Sequence, residues 1–132
     1  MDYRLPKKER LHSKKLIKEL FDKGSSFFLY PFKVIYLPLD GDAETNQVLF
    51  SVSKRKIRKA VHRNYLKRRI KEAYRLNKSI LINGKNNKKL IAFVYVAPGL
   101  EEFHKIQSKV QKVLNRLADR QEANRNDDEE KK

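Results

Sequence analysis

The sequence predicts an α/β or α+β domain built on a single sheet. Three observations carry this. Apolar residues recur at helical spacing in three segments, around Leu16–Phe21, Leu66–Tyr74 and Phe103–Leu117, leaving the other side of each polar. Aromatic and β-branched runs fill residues 27–39, 47–53 and 90–97. The order is therefore helix, strands, helix, strand, helix. At 132 residues the chain is long enough for one modest core, and it shows no internal repeat or second domain.

Each element follows in turn. Residues 1–12 are polar and basic around Leu5-Pro6 and predict an extended arm. Ser13 suits an N-cap and Gly24 a stop, so Leu16, Ile17, Leu20 and Phe21 form the apolar side of a helix of about ten residues. Residues 27–39 (FFLYPFKVIYLPL) read as a short strand and a longer one, separated at Pro31, which cannot donate to a ladder. Residues 40–46 form an acidic turn and residues 47–53 a return strand, which together predict a hairpin. A helix spans about 60–77, preceded by a basic loop at 54–59. After the polar loop NGKNNKK, the run LIAFVYVA is apolar throughout, as expected of a strand covered on both faces. Phe103, Ile106, Val110, Val113, Leu114 and Leu117 define a last helix. The ordered domain is predicted to end near 118, and residues 119–132, which lack apolar anchors, to form a disordered charged tail. If the basic helix joins parallel strands, the general rule predicts a right-handed crossover.

Charge is concentrated in one place. From Lys54 to Lys78 there are twelve Lys or Arg and one acid, Glu72, so about +11 of the formal +16 lies here. Ile57, Ala60, Val61, Leu66, Ile70, Ala73 and Tyr74 interrupt the run and give it something to bury, which marks a structured element offering cations to a polyanion. Arg63, Lys67, Lys71 and Arg75 are read as one arc, with Arg68 and Asn64 among them and Arg69 on the flank. Successive turns rise about 6 Å, close to the phosphate spacing of a nucleic-acid strand. A helix solvated only by its charges mixes signs at i,i+4; this one does not.

Several chemistries fit poorly. There are no cysteines, which excludes disulfides, thiol nucleophiles and thiolate metal sites. Two-metal phosphodiester hydrolysis needs converging carboxylates, whereas the acids here are scattered in turns, helix ends and the tail. His12, His62 and His104 lack ligand spacing, leaving only a metal-free His-pair nuclease formally open. No apolar run reaches membrane length and no signal-peptide pattern opens the chain, so a cytoplasmic protein is expected. Membrane-surface binding is disfavoured, since the basic helix offers Ile70, Ala73 and Tyr74 rather than strong anchors. Phe27, Phe28, Tyr30, Phe32 and Tyr36 are either core or a platform on which unpaired bases stack, and alternation places Phe32, Val34 and Tyr36 on one face.

Residues SVSKRKIRKAVHRNYLKRRIKEAYR resemble the protein subunit of bacterial ribonuclease P. That family's signature is a Lys-rich entry followed by A-V-x-R-N-R-x-K-R-x-x-R-E-A, matched here at Ala60-Val61, Arg63-Asn64, Lys67-Arg68 and Lys71-Glu72-Ala73. LPKKERL and KLIKELFDKG resemble the family's opening, and SVSK the strand before its motif, so the similarity spans about residues 5–118. Three departures stand out. Tyr65 replaces the second Arg of the R-N-R motif, Arg58 sits near the usual glycine of the entry loop, and Ile17 replaces a frequent aromatic.

The resemblance implies an α+β sandwich, αβββαβα, with one mostly antiparallel sheet and an unusual left-handed crossover. It implies an RNA-binding set of Lys54, Arg55, Lys56, Arg58, Lys59, Arg63, Asn64, Tyr65, Lys67, Arg68, Arg69, Lys71 and Arg75, facing ribonuclease P RNA. It places the 5′ leader of precursor tRNA between the first helix and the sheet, at Ile17, Phe21, Phe32, Tyr36, Ser51, Ser53 and Lys54. The catalyst would be the RNA with its Mg2+, with no cofactor on the protein itself and a monomer in a 1:1 complex. The alternative is a ribosomal or general structural RNA-binding protein with the same basic helix and no role in tRNA processing.

Overall fold

The computed structural model describes residues 5–39, 43–82 and 88–122. Among them a 3-10 turn (Lys7–Glu9) leads to α1 (Lys14–Lys23), β1 (Ser25–Leu29), β2 (Phe32–Pro38), β3 (Gln47–Val52), α2 (Ala60–Asn77), α3 (Ser79–Ile82), β4 (Lys89–Tyr95) and α4 (Phe103–Glu122). The fold is α+β, with the predicted order αβββαβα and one additional short helix after α2. Ser13 does cap α1, its Oγ accepting from the Leu16 N–H at 3.3 Å. α4 continues to Glu122, past the predicted boundary at 118; residues 123–132 lie outside the described part.

The four strands are ordered β1-β2-β4-β3. β1 and β2 are antiparallel and turn at a cis Tyr30-Pro31 bond, so Pro31 does separate a short strand from a longer one. The predicted hairpin between β2 and β3 does not form. β4 inserts between them, antiparallel to β2 and parallel to β3. The reason lies in composition. Leu90, Ile91, Ala92 and Phe93 are apolar on both faces, so the central position, covered above and below, suits this strand better than any other. The outer edge of β3 is covered by the N-terminal segment, where Arg10 pairs with Val48.

In-register partners divide the sheet into two faces. Val34, Phe93, Phe50, Phe32, Tyr95, Val52, Ile91 and Val48 point to the face covered by α2 and α4. Ile35, Ala92, Leu49, Leu37 and Leu90 point to the other, where α1 adds Leu16, Ile17 and Leu20. Rings of Phe50, Tyr74 and Phe93 meet with centroids 5.8–6.1 Å apart and fix α2 on its face. Asn77 ties α2 to α4, donating to Gln107 Oε1 at 3.1 Å and accepting from Gln111 Nε2 at 2.9 Å.

The crossover β3–α2–β4 is left-handed. On an upward strand, an L-residue whose side chain faces the viewer directs its C=O to the right. Val48 faces the α2 side, and its carbonyl accepts from the Leu11 N–H at 2.9 Å on the outer edge. β4 thus lies to the left of β3, and a chain crossing in front toward the left winds against the usual hand. A right-handed path would carry α2 behind the sheet, onto the face held by α1.

Candidate RNA interface

α2 is an 18-residue helix whose buried side is Leu66, Ile70, Ala73 and Tyr74. Asn64, Lys67 and Arg68 are exposed and Lys71 half-buried; with Phe50 and Val61 they line one open depression beside β3. No acid borders it. Arg75 is half-buried farther along the helix.

Arg63 departs from the arc predicted for it. It is half-buried, and its Nη1 donates to the carbonyls of Ile57 (3.1 Å) and Arg58 (2.7 Å). At 3.6 residues per turn it sits toward the docked side, so its guanidinium turns back to clamp the entry loop. Ile57, buried in the core, anchors the same loop from below, and its N–H donates to the Ser53 carbonyl at 2.9 Å. Around these two fixed points Lys54, Arg55, Lys56, Arg58 and Lys59 are all exposed. A short loop thus holds five cations outward without burying one. On the other flank of α2, Arg69 lies 5.0 Å from the Tyr65 ring centroid and shares a small hollow with Arg68 and Glu72.

The second candidate surface is the sheet face beside α1. Phe28, Lys33, Val94 and Ser51 are directly opposite one another across β1, β2, β4 and β3, forming one row about 14 Å across at ordinary strand spacing. α1 covers the neighbouring row of Ile35, Ala92 and Leu49 and stops there. Its Ile17 is half-buried against the sheet, and Phe21 is 47% exposed. Phe28 is 58% exposed, with its ring 6.2 Å from that of Tyr30. Lys33 puts a cation in the middle of the row.

Two residues assigned to this groove by resemblance lie elsewhere. Phe32 is fully buried on the opposite face, edge-on to Phe93 and Tyr95 at 5.7 and 5.9 Å. Tyr36 shares that face, half-buried against Phe27. Alternation had grouped Phe32, Val34 and Tyr36 correctly, but the face they share is the core. Their neighbour Lys33 and its cross-strand partner Phe28 point to the groove instead. The usable signal is Lys33 itself: a lysine between the apolar Phe32 and Val34 on a strand marks the open side. Ser51 lies in the row, whereas the Ser53 Oγ accepts from the Lys56 N–H at 3.3 Å and organises the entry loop.

Buried titratable groups lie away from both surfaces. Burial pushes the hydroxyl of Tyr74 up strongly and that of Tyr95 up to about 12, and Tyr95 donates to the Gly99 carbonyl at 2.6 Å. Lys89, buried at the start of β4 and beside Lys88, is pushed down to about 8. Lys78 and Glu9 form a largely buried pair at 3.0 Å that ties α2's end to the N-terminal turn. Among the described residues no three His, Asp or Glu side chains converge to hold a metal ion, and no helix is long and apolar enough to cross a membrane.

The family profile described as Ribonuclease P matches residues 5–118. The chain belongs to that family. Ribonuclease P protein components from Porphyromonas gingivalis and Chlorobaculum tepidum are 38% and 32% identical over 118 and 139 residues, covering 86% and 92% of this chain and 86% and 90% of theirs. Among solved structures, the ribonuclease P protein of Staphylococcus aureus superposes with a TM-score of 0.67 at 25% identity, covering 80% of this chain and 92% of its own. That of Thermotoga maritima gives 0.68 at 23%, covering 82% and 96%, and attests the fold. Membership in the ribonuclease P protein family ties this chain to tRNA processing and to ribonuclease P RNA. Within the family signature, the departing Tyr65 does not point into the cationic depression of α2 but supports Arg69 at its flank. Arg58, near the usual glycine, contributes its carbonyl to the Arg63 clamp.

Proposed function

We propose that this chain is the protein subunit of ribonuclease P, in which α2 and its entry loop bind the catalytic RNA. The groove between α1 and the open sheet row grips the single-stranded 5′ leader of precursor tRNA. Cations spaced along the helix and the exposed loop lower phosphate repulsion without entering the chemistry, and Arg68 adds a planar fork that suits phosphate. In the groove, Phe28 and Phe21 supply faces for unpaired bases, Lys33 a phosphate partner and Ser51 a hydroxyl. Mg2+ would be held by the RNA, where it supplies the nucleophile and stabilises the leaving oxygen. One chain per RNA suffices, because a single chain carries both surfaces.

The observation that carries this reading is the conjunction of two surfaces, a cationic depression on α2 with no acid among its described lining residues and an open, ring-bearing sheet row beside α1. Duplex-binding structural proteins need the first but not the second. The test is cleavage of a precursor tRNA at near-physiological salt and low magnesium by the chain alone, a bacterial ribonuclease P RNA alone, and both. Efficient cutting at the mature 5′ end by the mixture alone, improving with leader length, supports the reading. A mixture no better than the RNA alone would leave a general RNA-binding protein, and cutting by the chain alone would place an active site on the protein.

A further inference from the structure

α4 carries a second row of cations that the family signature does not include. Lys105, Lys109, Lys112 and Arg116 follow one another at intervals of four, three and four residues, so they fall within about 60° of arc and span about 16 Å of helix. Residues 103–118 contain no acid. Only Lys105 has an acidic partner among the described residues, Glu101 at 3.7 Å, and both are substantially exposed. Arg116 is held in place, its guanidinium 4.5 Å above the Phe27 ring of β1.

The row looks away from α2. Gln107 and Gln111, which bond Asn77 of α2, lie on the opposite flank of α4 from the cations, while Arg116 reaches β1. Lys67 and Lys71 share their depression with Phe50 of β3. The two cationic surfaces therefore flank opposite edges of the sheet, β1 and β3, with three strand gaps between them.

We propose that the α4 row is a second RNA-binding surface, which takes the phosphate backbone of a segment of ribonuclease P RNA separate from the segment on α2. The spacing of its cations, about 4.5–6 Å, follows a phosphate backbone as α2 does. Beside the row, on its solvent side, lie exposed Ser108 and Asn115, which can donate to phosphate or ribose but offer no apolar anchor to a membrane. One chain would thus bridge two RNA segments. This rests on the subunit reading above, and the test separates the two.

The experiment compares the full chain with two charge-neutralised variants, Lys109→Gln/Lys112→Gln on α4 and Lys67→Gln/Lys71→Gln on α2, in binding to ribonuclease P RNA across a salt series. Each phosphate contact contributes about 0.7–0.9 to the log–log salt slope. The α4 variant should flatten that slope by about 1.4–1.8 and weaken binding at 0.1 M salt about thirtyfold. Its thermal unfolding should match the parent, since Lys112 is exposed and glutamine keeps most of the stem of the half-buried Lys109. Because the chain has no cysteine, Ser108→Cys and Val61→Cys accept a single tethered iron chelate. Radical cleavage from the two positions should map to different RNA segments. Unchanged binding by the α4 variant while the α2 variant weakens would overturn this proposal and leave the subunit reading standing. Overlapping cleavage maps, or equal loss against an unrelated RNA of the same length, would overturn it as well. If neither variant weakens binding, both readings fall.

Discussion

Replacing Phe28 by alanine separates the groove from the core. The ring is 58% exposed and borders Lys33 on the open sheet row, so removing it costs folding little. Its loss should act on the bound leader. Stacking of an unpaired base is worth about 1–3 kcal/mol, and for a ring partly covered by its neighbours about 1–2 kcal/mol is reasonable, or about five- to thirtyfold in affinity. Phe32→Ala offers the contrast. That ring is fully buried against Phe93 and Tyr95, so its truncation should destabilise the fold by about 3–5 kcal/mol. The assay is binding of precursor tRNA to the reconstituted complex, with leaders of increasing length and with none. Phe28→Ala should weaken binding only when the leader reaches the row, with the denaturation midpoint nearly unchanged. Equal loss with a leaderless tRNA, or a full-affinity complex, would refute the assignment of the groove. So would a Phe32→Ala protein that stays fully stable yet loses leader dependence.

Three further outcomes follow from single residues. Lys89 has a folded pKa of about 8 against 10.5 free, so the folded state disfavours its proton: stability rises as pH climbs from 8 to 10.5 and is lowest below 8. Lys89→Met should raise stability at pH 7 by about 1–2 kcal/mol, reduced from the full shift by solvent access, and remove that part of the rise in urea titrations at several pH values. A Cβ on Gly24 would stand 2.5 Å from the Leu20 carbonyl oxygen and 2.9 Å from Ile35 Cγ2. Gly24→Ala should therefore push α1 off β2, lowering the thermal midpoint by several degrees and weakening leader-dependent binding together. Arg63→Ala removes two charge-assisted bonds to the entry loop, at about 1–2 kcal/mol for this half-buried group. Because five loop cations lose their fixed geometry, RNA affinity should fall more than for Lys67→Ala, a difference readable by filter binding.

Much of this was legible in the chain. Ser13 and Gly24 bounded α1, Pro31 divided β1 from β2, and the doubly apolar run at 90–97 announced a covered strand. Pairing was not legible, because a polar turn between two strands says nothing about a third strand arriving 40 residues later to lie between them. The crossover's hand also escaped local rules, since it depends on α1 already occupying the far face. At the site, spacing identified the cations of α2 but not the one that turns inward; Arg63 is distinguished by two carbonyls of a loop whose shape depends on Ile57. Phe32 and Tyr36 were placed on the wrong face of the sheet for a related reason. Alternation groups side chains by face without saying which face the helices will cover. The α4 row stands in the sequence too, interleaved with the apolar stripe that defines the same helix.

The placement of β4 governs when this protein can come into being. During synthesis α1 and the hairpin of β1 and β2 emerge first, then β3 and the whole cationic helix, and neither of the latter can dock in place until residues 89–95 arrive to separate and join the strands. A nascent chain therefore presents a net charge of about +11 on the entry loop and helix of residues 54–78 with no sheet beneath them, next to the most RNA-rich particle in the cell. The fold reaches closure only in its last third. Its accuracy thus depends on the final strand outpacing the attraction of unfolded cations for the wrong RNA, and a truncation anywhere before Tyr95 would yield a sticky polycation rather than a smaller domain.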